Sequence, residues 1–77
     1  MKEFVEFIAK HLVDYPEGVV VTESINEEQK YVLSLKVKKE DLGKVIGKQG
    51  KTAQAMRTLL TAISAKEGKR AILEIED

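Results

Sequence analysis

The sequence predicts an α+β domain with three helices packed on one face of a three-stranded mixed sheet. Residues 30–38 and 70–76 alternate apolar and polar side chains, which marks strands with one buried face. Residues 2–14 and 51–66 carry apolar side chains at helical spacing. Between the sheet-forming stretches, two glycines three apart split the helical part of the chain at 47–50. The resulting order is helix, strand, strand, helix, helix, strand.

Each element has a local cause. In residues 2–14, Phe4, Val5, Ile8 and Leu12 recur on one side, with Glu3, Glu6, Lys10 and Asp14 elsewhere on the wheel. Pro16 disfavours helical geometry at Tyr15, so this helix should stop near Asp14, and Pro16-Glu17-Gly18 should turn. Residues 19–25 are short and rich in β-branched side chains, a strand. The polar run 26–29 is a turn, short enough to pair that strand with the next as an antiparallel hairpin. In the second strand Tyr31, Leu33, Leu35 and Val37 face one way, Ser34, Lys36 and Lys38 the other.

Residues 39–46 should form a short helix. Glu40 and Asp41 suit its positive end, and Leu42, Val45 and Ile46 supply a buried side. Gly47 falls where a terminating glycine is expected. The next helix, about 51–66, has a stripe of Ala53, Met56, Leu60 and Ile63, which Leu59 widens, and Gly68 ends it. In the last strand Ala71, Leu73 and Ile75 share a face. More than a dozen residues separate it from the previous strand, which permits parallel pairing.

The chain has 77 residues, the size of one domain spanning 1–77. With 43% hydrophobic and 34% charged residues it can form a packed core. It has no Cys, so disulfides, thiolate metal sites and a Cys nucleophile are excluded. No apolar run approaches the roughly 20 residues of a membrane span, and Glu3 and Glu6 do not suit a secretory leader. A soluble cytoplasmic protein without a membrane partner is the expectation.

Thirteen basic residues balance thirteen acidic ones, but they are segregated. Residues 36–57 hold seven basic side chains (Lys36, Lys38, Lys39, Lys44, Lys48, Lys51 and Arg57) and two acidic ones, so the remainder is net acidic. A neutral chain with one basic segment steers a polyanion to that segment. Within it lies Val45-Ile46-Gly47-Lys48-Gln49-Gly50-Lys51-Thr52. Its glycines allow a tight turn without shielding side chains, leading into a helix start whose dipole is positive. That predicts a phosphate seat formed by backbone amides of the bend, with Lys48 and Lys51 beside it and Ile46 offering apolar surface to a base. An isolated Gly-x-x-Gly is more often an ordinary helical corner; charge segregation and element order favour the functional reading here.

Motif and order together resemble the KH domain in its type II arrangement. The resemblance covers essentially the whole chain, in a free-standing small format. It implies that Gly47, Lys48, Gln49 and Gly50 clamp the backbone of single-stranded RNA in a groove for about four nucleotides. Ile46 would line the groove floor, and Lys51 and Thr52 would lie beside the phosphates, with Lys44 and Arg57 as outer contributors. Ala53 departs from the larger aliphatic residue many KH domains carry there, which leaves groove shape open. The resemblance further implies an RNA chaperone or post-transcriptional regulator, paired with itself or with another KH-containing protein.

Other signals are weaker. Gly50-Lys51-Thr52 mimics the end of a nucleotide hydrolase's phosphate loop, but the required earlier glycine is Val45. His11 is the only histidine, best read as a surface residue, and no metal site or cofactor is indicated. Glu27-Glu28 and the Glu74, Glu76 pair fit a polar turn and a wet strand face. Phe4 is expected in the core and Phe7 at an exposed edge. The expected function is therefore non-catalytic RNA binding. The alternative is a KH-like protein-interaction or dimerisation module, against which the cationic Gly47–Gly50 segment argues.

Overall fold

A computed structural model describes residues 1–76. Its elements are α1 (Lys2–Leu12), β1 (Val20–Ile25), β2 (Tyr31–Lys36), α2 (Leu42–Ile46), α3 (Lys51–Lys66) and β3 (Ala71–Ile75), with single 3₁₀ turns at Pro16–Gly18, Lys39–Asp41 and Lys48–Gly50. The sheet order is β1-β2-β3. β1 pairs antiparallel with β2, Val21 opposite Leu35, and β2 pairs parallel with β3, Leu33 opposite Leu73. The sheet is therefore mixed, in the type II KH order. The hairpin turn is closed by Asn26, whose side-chain oxygen accepts from the N–H groups of Glu28 and Lys30.

The inward residues of the strands supply the centre of the core. Leu33 and Leu35 are fully buried, and Val21, Val37 and Leu73 nearly so. Val5 and Ala9 of α1, Val45 of α2, and Met56 and Leu60 of α3 join the same cluster. All three helices thus cover one sheet face. Phe4 packs against this cluster, whereas Phe7 is exposed.

Four expectations are corrected. α1 stops at Leu12, not near Asp14, because Val13 already has extended backbone and turns its side chain into the core. The helix expected at 39–46 is a 3₁₀ turn followed by a five-residue α-helix, with the break at Asp41. Asp41 lies under the protein surface rather than at a solvated helix start. Leu59 does not widen the buried stripe of α3. It sits about 100° around the helix from Leu60, and is 49% exposed, while Ser64 takes the next inward position.

Candidate nucleic-acid interface

The site begins with the residue that fixes α2. The Asp41 carboxylate accepts hydrogen bonds from the backbone N–H groups of Asp14 (3.1 Å) and Tyr15 (2.9 Å), at the end of α1. Lys44, one turn along, donates to Asp14 at 2.6 Å and lies 3.6 Å from Asp41. Burial pushes the Asp41 carboxyl up. The two N–H donors and the Lys44 charge outweigh burial and hold it below the ordinary carboxylate range. Lys44 is pushed up, chiefly by its hydrogen bond to Asp14, against partial desolvation. A five-residue helix has little stability of its own. This side-chain staple therefore matters for where α2, and the loop after it, are held.

α2 ends at Gly47, whose N–H bonds the carbonyl of Gly43 at 2.8 Å. Gly47 has φ 78° and ψ 172°, a region open essentially to glycine alone. Space demands glycine as well: a Cβ there would lie 2.1 Å from Thr52 Oγ1 and 2.8 Å from the Thr52 nitrogen. Thr52 is thus packed against the bare face of Gly47. Gln49 (φ 58°) and Gly50 (φ 73°) are both left-handed, which swings the chain into α3. A Cβ on Gly50 would meet nothing within 4 Å. Gly47 is closed in by the protein, while Gly50 is open on its Cβ side.

One expectation about the bend is corrected. The glycine amides are not free: the Gly50 N–H bonds the Gly47 carbonyl at 3.1 Å, and the Gly47 N–H is used as described. The Lys51 N–H bonds Lys48. The glycines therefore serve the turn by shape.

Lys48, Gln49, Lys51 and Arg57 are exposed, and Ile46 and Thr52 half-buried. Ile46, Lys48, Gln49, Gly50 and Lys51 are brought to one corner by the α2–α3 connection, whereas Arg57 lies farther along α3. Among the described residues, Lys36, Lys39, Lys48, Lys51 and Arg57 form no ion pair. Lys44 does not share that freedom, since its ammonium is held by two carboxylates. Lys38 faces Glu17 at 3.7 Å and the Tyr15 ring at 4.8 Å. His11 is exposed and donates from Nδ1 to the Phe7 carbonyl. No group of three or more His, Cys, Asp or Glu side chains that could hold a metal occurs among the described residues. Nor is any described helix long and apolar enough to cross a membrane.

The KhpA/KhpB KH-domain family model matches residues 2–75. The chain belongs to this family. Its relatives include the "RNA-binding protein KhpA" of Clostridium perfringens, 56% identical over 97% of this chain and 99% of the relative. The protein of the same name from Caldanaerobacter subterraneus is also 56% identical over 97% of this chain and 99% of its own length. That from Aquifex aeolicus is 55% identical over 97% and 94%. No solved structure matches. The α2–α3 connection carries the sequence Gly47-Lys48-Gln49-Gly50, and Asp41 is the buried residue beneath α2 that sequence reasoning missed. An acid at a helix start gives no signal of burial.

Proposed function

We propose that this chain binds single-stranded RNA without catalysing a reaction, gripping about four nucleotides at Gly47–Gly50. The observation that carries the reading is the left-handed turn at Gln49 and Gly50, open on the Gly50 side and flanked by Lys48 and Lys51, which form no ion pair among the described residues. The relatives' name, RNA-binding protein KhpA, supports the same ligand. In this mechanism, the sugar-phosphate backbone approaches where no Cβ stands. Lys48 and Lys51 attract it, and the start of α3 adds its positive dipole end. Ile46 offers apolar surface to a base, and Arg57 contributes at longer range. Lys44 serves the staple first, so its contribution to RNA is secondary.

Four nucleotides give few contacts, and micromolar binding corresponds to about −8 kcal/mol. Pairing two KH modules would raise the effective concentration of the second site. We place this pairing, with a second copy or another KH-containing protein, on the exposed Ala55, Leu59 and Ala62 strip of α3. The same strip is what favours the alternative reading, a pure interaction module. The reading adds a cytoplasmic role in RNA chaperoning or post-transcriptional regulation.

The test replaces Lys48 and Gln49 by Asp. Both side chains are exposed, so the fold should persist. Two like charges about 4 Å from a phosphate cost on the order of 1 kcal/mol each even at water's dielectric, so RNA binding should fall at least about thirtyfold. Unchanged binding by the folded variant would leave the interaction-module reading. Sedimentation of Leu59→Asp should show loss of pairing with this loop intact.

A further inference from the structure

The outer side of α1 carries a feature that neither the core nor the loop uses. Among the described residues, Phe7 is the most exposed large apolar side chain, at 60%. His11 lies one turn further along the same side. Its ring centre is 4.4 Å from that of Phe7, and its Nδ1 donates to the Phe7 carbonyl at 2.8 Å. That hydrogen bond fixes the imidazole beside the phenyl ring. The two rings form one surface pad that has little side-chain freedom left to lose on contact.

Two opposite charges flank the pad. At about 100° per residue, Glu3 and Lys10 lie on one side of Phe7, by about 40° and 60°, while Phe4 and His11 lie on the other. Along the helix axis Glu3 is about 6 Å before Phe7 and Lys10 about 4.5 Å after it. Both are exposed, and neither forms an ion pair among the described residues.

This arrangement is its own complement. A closed pair of identical chains offers the same patch from both sides, so the patch must match itself. A two-fold axis at Phe7 that sets two α1 helices antiparallel brings Lys10 of one copy within about 1.5 Å, measured along the axis, of Glu3 of the other. The contact occurs twice. The same operation lays Phe7 on Phe7 and His11 against the half-buried Phe4. Parallel helices would instead set Glu3 on Glu3 and Lys10 on Lys10. Charge therefore selects both the occupant and its direction.

We infer that α1 pairs antiparallel with α1 of a second copy, through the Phe7–His11 pad and two Glu3–Lys10 contacts. This surface is separate from the α3 strip and does not depend on it. A chain that uses both surfaces links its pairs into larger assemblies. A helix of 11 residues offers less than the roughly 800 Å² per partner of a standard interface, so the pairing is weak and set by concentration.

Sedimentation equilibrium from about 0.01 to 1 mM, where small interfaces associate, tests this on full-length chains that all carry Leu59→Asp, so that only α1 contributes. The Leu59→Asp chain should approach the mass of a dimer at the upper end. Adding Glu3→Lys or Lys10→Glu turns both contacts repulsive and should weaken pairing at least about tenfold. Adding Phe7→Ala should weaken it as much. The exposed side chains at these positions leave the fold in place, which circular dichroism checks. An equimolar mixture of the Glu3→Lys and Lys10→Glu chains is complementary again and should pair within about threefold of the Leu59→Asp chain. Loss in both charge variants without recovery on mixing would overturn the inference, and so would a Leu59→Asp chain that stays monomeric throughout. Pairing through α3 is read separately, as the mass difference between chains with and without Leu59→Asp.

Discussion

Replacing Gly47 by alanine should cost far more than the same change at Gly50, three residues on. Both glycines have positive φ, 78° and 73°. Their surroundings differ. At Gly47 the new methyl would stand 2.1 Å from Thr52 Oγ1, 2.6 Å from Thr52 Cβ and 2.8 Å from the Thr52 nitrogen. The backbone conformation alone costs about 1–3 kcal/mol for a non-glycine residue. Forcing a methyl into filled space adds about 1–3 kcal/mol more. About 4 kcal/mol is therefore expected. At roughly 4–8 °C per kcal/mol for a domain of this size, Tm should fall by about 15–30 °C. Gly50 meets nothing within 4 Å, so its alanine variant carries only the left-handed penalty of about 1–2 kcal/mol. Urea and thermal unfolding followed by circular dichroism measure both. Combining Gly47→Ala with Thr52→Ala should recover only a small part, because the Thr52 nitrogen remains in the way. A Gly47→Ala protein as stable as Gly50→Ala would refute the packing of Thr52 on Gly47.

Asp41 gives a pH prediction. Its carboxyl is held low in the folded state, so the stability it contributes is complete above the ordinary aspartate value near 3.9 and is lost as pH falls through the lower folded value. The urea midpoint should drop below about pH 4, and Asp41→Asn should be less stable at neutral pH and show less of that drop. Lys44→Met should lower thermal stability by releasing Asp14 and Asp41, yet leave RNA affinity within about threefold in a titration, because its charge is already engaged. Gly43→Ala should stabilise by about 0.5–1 kcal/mol in urea unfolding, since Gly43 is helical and a Cβ there meets nothing within 4 Å.

The strands were legible because alternation reports directly which side is wet. Leu33, Leu35 and Leu73 are inward as their spacing requires. The length of the intervening helical segment permitted parallel pairing of β2 with β3, which the sheet adopts. The turn at Gly47–Gly50 was legible because two of its three positive-φ positions, 47 and 50, are glycines; Gln49, the third, gave no such signal. Less could be read where two distant segments meet. Nothing local distinguishes Asp41, which is buried against the backbone of Asp14 and Tyr15, from an acid capping a helix in water. For the same reason Lys44 looked like a free cation until Asp14 was brought beside it. Leu59 looked inward because helical periodicity gives a stripe's direction but not the width its neighbours cover. The occupied glycine amides depended on the turn's own hydrogen bonds, which composition does not specify.

The central claim is that RNA meets the protein at the α2–α3 connection. Amide chemical shifts followed during titration with a short single-stranded RNA test it most directly. The largest shifts should fall on residues 46–52, with the outward face of the sheet unmoved. Shifts confined to the sheet, or none on 46–52 at saturating RNA, would contradict it.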